Sequence, residues 1–265
     1  MTIAIINLAA EYIFFSAKRE ILCVPEHFKV FASRKNAEIT LEKSMEILQK
    51  MVGEGYLRAT QIEGHGRKIY FQPTPQGAEY RGKNVPNFLR SRPSEDAKRR
   101  GWLRANVIFC APSGIDWLGI DAVDEMLKAN NCGQNGFARP QVGSRTDGKI
   151  EIVFCILANE NPRQIIESTA SRLLTLLESD ASCTLRFTCS RQNHERVAQA
   201  LTLLTTSPLT QIEHEIAAID AKIASDRTGL DSIQLGHSRG ELCRKLAETA
   251  HDQPYQWLAA TPICA

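Results

Sequence analysis

The 265-residue sequence predicts an α/β chain in two parts: helices and a β-hairpin over residues 1–82, then alternating strands and helices from residue 105 onward. Three observations predict it. Apolar residues at Ile39, Leu41, Met45, Leu48, Met51 and Val52 keep a helical period that stops at Gly53 and Gly55. Tyr56 to Ile62 and Lys68 to Gln72 read as strands, joined by a reversal with glycines at 64 and 66. Ile150 to Ala158 is apolar almost without a break, as a strand covered on both faces requires.

In order, residues 3–22 read as a long apolar helix and residues 26–32 as a short one opened by Pro25, with Phe28, Val30 and Phe31 inward. The next helix starts either at a Thr40 cap or earlier, after Ser33; both starts satisfy the spacing. The hairpin that follows carries His65, Arg67 and Lys68 at its tip. Thr74 and Pro75 then read as the cap and first residue of a further helix. The run EGYL…GRKIYFQPTPQG resembles the last helix and wing of the winged helix-turn-helix family, of the MarR-like kind, over roughly residues 8–82. The resemblance implies a helix in the DNA major groove and a hairpin tip near phosphates or the minor groove. Carried onto this chain, it implies Arg34, Lys35, Asn36 and Lys43 as groove or phosphate contacts. The corresponding wing contacts are Arg58, His65, Arg67 and Lys68.

Charge is divided unevenly. Residues 1–104 hold 18 Lys and Arg against 11 Asp and Glu, a balance of +7, and the remainder hold 14 against 19, a balance of −5. The basic part is the part with the hairpin, which suits a polyanionic partner. Residues 83–104 are basic and punctuated by proline and glycine, and read as a linker whose arginines can also touch phosphates.

The α/β domain is expected over residues 105–265. Ala105 to Cys110 reads as a strand, Asp116 to Asn130 as a helix divided near Gly119, and residues 145–148 as a turn. After Ile150–Ala158 come a helix to Glu178, a strand from Cys183 to Cys189 and a helix over 192–205. Strand–helix–strand order with short links argues for a partly parallel sheet. Beyond Pro208 two helices are expected, at about 210–226 and 238–250.

Chemistry is thinly signalled. Eight scattered cysteines include no CxxC, and six histidines have no zinc-like spacing. Phosphate-loop, HExxH and GxSxG motifs are missing from the sequence. The order of elements over 145–205 is similar to the PD-(D/E)xK nuclease-like core, and a winged helix before it is similar to replication-relaxation proteins of mobile elements. That likeness implies metal-dependent cleavage with Asp147 as a ligand, but the E-x-K is missing: Glu151 opens the strand and Glu160 is followed by Pro162. Asp147 is expected to be a turn residue.

The expectation is a non-enzymatic protein without a cofactor that binds double-stranded DNA, serving transcription or the replication or transfer of a mobile element. The alternatives are an assembly protein whose winged helix contacts protein, and a metal-dependent nuclease. A homodimer is expected, with Ile5–Ile13 and Ile212–Ile223 competing as its interface, and the C-terminal domain offers a protein-partner surface. Thr2 to Ala10 lacks the flanks of a secretory signal and no run reaches membrane-crossing length, so a cytoplasmic location is expected.

Overall fold

The computed structural model describes residues 3–80, 85–129, 142–179, 183–205, 215, 216, 218–223, 235, 237–242, 263 and 264. Helices α1 (Ile3–Lys18), α2 (Pro25–Arg34) and α3 (Leu41–Gly53) precede an antiparallel pair, β1 (Leu57–Thr60) and β2 (Tyr70–Pro73). The Thr40 hydroxyl accepts the Lys43 N–H at 3.1 Å, so α3 starts at this cap rather than after Ser33. Residues 33 and 34 belong to α2, which Asn36 closes with a left-handed φ of 58°.

Thr74 accepts the Gly77 N–H at 3.1 Å, as a cap would, yet residues 75–79 form a single turn and no helix. The Tyr80 N–H closes back on the Pro75 carbonyl, and Glu79 adopts a φ of 52° that ends helical propagation.

The segment after the hairpin departs most from expectation. Residues 95–104, read as part of a basic linker, and Ala105–Cys110, read as a strand, form one helix, α4 (Glu95–Cys110). Ser94 caps it by accepting the Ala97 N–H at 3.2 Å, and Glu95 and Asp96 complement its positive end. A short apolar run has no period that separates a strand from a buried helical segment, and here burial of Ala105, Val107, Ile108 and Phe109 made it apolar all round.

The second half contains β3 (Asp116–Leu118), α5 (Ile120–Ala129), β4 (Val142–Thr146), β5 (Lys149–Ile156), α6 (Pro162–Ser179), β6 (Cys183–Cys189), α7 (His194–Thr205) and β7 (Ile263–Cys264). The chain is thus mixed α/β, with its larger sheet in the order β3-β4-β5-β6-β7. The first two pairings are antiparallel and the last two parallel. The stretch expected as one divided helix is instead β3 and α5, separated at Gly119.

Strand β5 explains its own composition. Ile152, Phe154 and Ile156 share a buried cluster with residues of α5, α6 and α7. Val153, Cys155 and Leu157 point to the opposite face, where Val153 joins the cluster that includes Val107 and Ile108, and the other two pack with Leu103. Both faces are covered, so alternation disappears.

The largest cluster ties the two halves together. It runs from Leu8, Tyr12 and Ile13 of α1 through Phe28 and Phe31 of α2 to Phe109 of α4 and Val153 of β5. Tyr12 is its centre: its ring lies 5.1 Å from Phe28, 5.3 Å from Phe31 and 5.8 Å from Phe109. Its hydroxyl accepts the Val24 N–H at 3.3 Å. Burial pushes the Tyr12 pKa well up, keeping the phenol neutral.

Residues 215, 216, 218–223 and 238–242 are helical, within the two C-terminal helices expected from sequence, and residues 235 and 237, just ahead of the second, are helical as well. The rest of those helices lies outside the described residues. Among the described residues no helix is long and apolar enough to cross a membrane.

Candidate nucleic-acid interface

The hairpin reversal spans residues 61–69, where Gly64 (φ 86°) and Gly66 (φ 66°) supply left-handed backbone that other residues resist. Its tip carries His65, Arg67 and Lys68. The first half of α4 and the segment before it run along this hairpin and are fastened to it. Lys98 Nζ donates to the Gln61 carbonyl at 2.8 Å, and Arg99 Nη2 to the Glu63 carbonyl at 3.4 Å. Glu95 accepts the Glu63 N–H at 3.1 Å. From the strand side, Arg58 Nη1 donates to the Arg90 carbonyl at 2.8 Å.

These bonds set Arg58 beside Arg90, and Lys98 and Arg99 beside the reversal that carries Arg67 and Lys68. A bond to a neutral carbonyl orients a guanidinium without cancelling its charge. The carboxylates on the same segments are Glu26, 3.8 Å from Lys68, together with Glu63, Asp96 and Glu95, the last paired with Lys98. The edge therefore keeps a net positive charge, which is what a phosphate backbone attracts. The sequence reading had placed Arg90, Arg92, Lys98 and Arg99 within the linker. The signal that finds Lys98 and Arg99 is the Ser94 cap with its acidic first turn, which starts a helix at Glu95; Arg90 and Arg92 lie in the segment before it.

Among the candidates from sequence, Arg58, His65, Arg67 and Lys68 all lie on this edge. His65 is half-buried, its Nδ1 2.7 Å from the Tyr70 hydroxyl and its ring edge-on to Trp102 at 4.7 Å. Burial, then the charges of Arg99 and Lys68, hold the His65 pKa below its ordinary value against the opposing pull of Glu95.

The other four are placed elsewhere. Arg34 donates to the Ile108 carbonyl at 3.2 Å and the Ala111 carbonyl at 2.7 Å, at the C-terminal end of α4. It satisfies carbonyls that the helix end leaves free and meets the negative end of the helix dipole. Replacement of Arg34 by Met is expected to cost about 2 kcal/mol in urea unfolding, since a charged donor to three carbonyls is lost. Unchanged stability with weakened DNA binding would instead restore Arg34 to the groove.

Lys35 is exposed and 3.4 Å from Glu11, and Asn36 is the residue that turns the chain out of α2. Lys43 on α3 holds Glu46 with bonds of 2.7 and 2.8 Å. The outward side of α3 presents Leu41, Glu42, Glu46, Gln49 and Lys50, with Lys50 3.7 Å from Glu54. Backbone N–H at the helix start holds the Glu42 pKa down, and Lys43 holds that of Glu46 down. Both stay ionised at neutral pH, but Lys43 and Lys50 match them on the same helix, so α3 offers a phosphate backbone no net positive charge.

The region of the nuclease-like resemblance is a concavity of about 550 Å³ between the end of α4 and the sheet. Asp147, Lys149, Glu151 and Arg186 line it. Asp147 has a φ of 49° and Gly148 one of 78°, the two-residue reversal between β4 and β5. Glu151 is 2.8 Å from Arg186. Among the described residues no three His, Cys, Asp or Glu side chains converge as metal ligands would. Cys23 and Cys155 are buried thiols whose pKa burial pushes up to about 12 and about 11, which leaves them protonated and unreactive. Compared with models of protein families, with curated proteins and with solved structures, the chain has no match.

Proposed function

We propose that the chain binds double-stranded DNA through its sugar–phosphate backbone, with the N-terminal unit acting as a winged helix whose wing leads. The carrying observation is the basic edge formed by the β1–β2 hairpin and the first half of α4. The order α1-α2-α3-β1-β2 is the one such a module requires. The outward side of α3 carries carboxylates matched by lysines and no net positive charge, which makes base reading by that helix a minor component. Backbone contacts position a protein without specifying sequence, so affinity is expected to be broad in sequence and steep in salt. The role that fits is an accessory one, in transcription or in the replication or transfer of a mobile element, with a second copy or another protein engaging the C-terminal half.

Fluorescence anisotropy with a random duplex, between about 50 and about 200 mM salt, tests this reading. The combined variant Arg67→Ala, Lys68→Ala, Arg99→Ala is expected to bind about 10- to 100-fold more weakly at low salt. Its salt slope should fall by about 3, close to one unit per phosphate contact removed. Equal slopes for the two proteins would remove the edge as the interface.

A second reading is favoured by α3, whose first residue, Leu41, is 42% exposed at the end of a helix without net positive charge. A protein partner suits that face better than a duplex does. Absence of duplex binding by the wild-type chain at low salt would select this assembly role.

A further inference from the structure

The His65 ring is the point at which the hairpin, β2 and α4 converge, and its surroundings suit a proton as well as an anion. From β2 it meets the Tyr70 hydroxyl at 2.7 Å, and from α4 the edge of Trp102. The charged groups acting on it are Arg99 and Glu95 from α4 and Lys68 from the end of the reversal. Arg67, two positions on in the chain, is exposed. Two of these cations act in the same direction as burial and keep the ring neutral in the free protein.

We propose that one phosphate of the bound backbone seats against His65, Lys68 and Arg99, and that its arrival is accompanied by uptake of one proton from solvent at His65. The inference rests on the DNA-binding reading and adds a coupled proton to it. A phosphodiester placed there neutralises the cations that disfavour imidazolium and becomes its counter-ion, so both obstacles to protonation weaken together. The Tyr70 hydroxyl accommodates the change because it accepts from a protonated Nδ1 as readily as it donates to a bare one. Nε2–H then serves as a charge-assisted donor to the phosphate.

Linkage gives the sign. The ring binds more protons in the complex than in the free chain, so affinity rises as pH falls through the interval between the free and bound pKa. Above that interval, affinity no longer changes. Each unit by which the phosphate raises the His65 pKa is worth about tenfold at the acid end.

The test is the affinity of a random duplex at constant low ionic strength, at about pH 8 and about pH 6, for the wild-type chain and His65→Gln. The wild type is expected to bind several-fold more tightly at the lower pH and the variant to show a flat profile. A parallel measurement on the wild type follows the His65 ring resonance by NMR as pH is varied, with and without duplex. Its midpoint should move up on binding, and this readout stands even where the variant folds poorly. Binding without pH dependence, equal dependence in the variant, or an unmoved midpoint each overturns the coupled proton and leaves DNA binding intact. No binding at either pH overturns the proposed function, and this inference falls with it.

Discussion

Gly77→Ala is expected to destabilise the chain by about 3 kcal/mol, although the change adds one methyl group. Gly77 is buried, and a Cβ placed on it overlaps the Tyr56 carbonyl oxygen and comes 2.9 Å from Ile13 Cγ2. The Tyr56 carbonyl is not free to move. It accepts from the Thr74 backbone N–H and from the Thr74 hydroxyl, each at 3.1 Å, and that hydroxyl also donates to the Gly55 carbonyl at 2.7 Å. Ile13 lies in the cluster around Tyr12, so yielding there spreads into the core. Gly77 is thus the place where the chain leaving the hairpin closes against α1, and the methyl either breaks the Thr74 bonds or lifts the hairpin. A melting temperature lower by roughly 10 °C follows for a chain of this size. Gly64→Ala separates the two meanings of glycine: its Cβ meets nothing within 4 Å, but its φ of 86° costs about 1 kcal/mol in a residue with a side chain. Urea unfolding of both variants decides the matter, and an equal loss in the two would show that no closure exists at Gly77.

The Thr-Pro-Gln-Gly step shows how far sequence reasoning reached. Its residue types marked a cap and a change of direction, and the Thr74–Gly77 bond is present, but the helix expected from it is not. Local chemistry was legible, and the close approach to Tyr56 was not, because it depends on chain 21 positions earlier. The same division holds elsewhere. Periodicity found α3, β5, α6 and β6, whose patterns are set by burial within one element. It misread α4, which is apolar on all sides at one end and highly charged at the other, so that neither end carried a helical stripe. The two-residue β7 has no local signal at all: its pairing with β6 comes from more than seventy residues away.

The candidate interface divides in the same way. Arg67 and Lys68 were readable because a tight reversal exposes its tip. Arg34 was not, since no pattern distinguishes an arginine that meets phosphate from one that meets carbonyls at another helix end. The cations of α4 join the hairpin only because Gln61 and Glu63 offer their backbone to Lys98, Arg99 and Glu95.

Acid is expected to open the seam between α2 and α4 through His27. Its ring is 9% exposed, lies 4.8 Å from Phe109 with the planes 18° apart, and has no partner for Nδ1 among the described residues. Burial drives its pKa down to about 4; Glu26 and Asn106 oppose the shift and Lys68 adds to it. The unfolded chain holds the same imidazole near its ordinary 6.5. A depressed folded value means that the unfolded state binds the extra proton between these limits. The stability tied to a neutral His27 is therefore complete above about pH 6.5 and disappears as pH falls to about 4, roughly 3 kcal/mol in all. His27→Phe keeps a ring on Phe109 and removes the proton, so the urea midpoint of the variant should decline less steeply across that window. Carboxylates titrate in both proteins and cancel in the comparison; parallel profiles would clear His27 of any part in acid sensitivity. The consequence reaches the interface, because α4 presents Lys98 and Arg99 to the hairpin only while α2 holds it in place. Loss of the seam at low pH thus works against the basic edge while a proton at His65 strengthens it, so His27→Phe should enlarge the gain in DNA affinity as the solution is acidified.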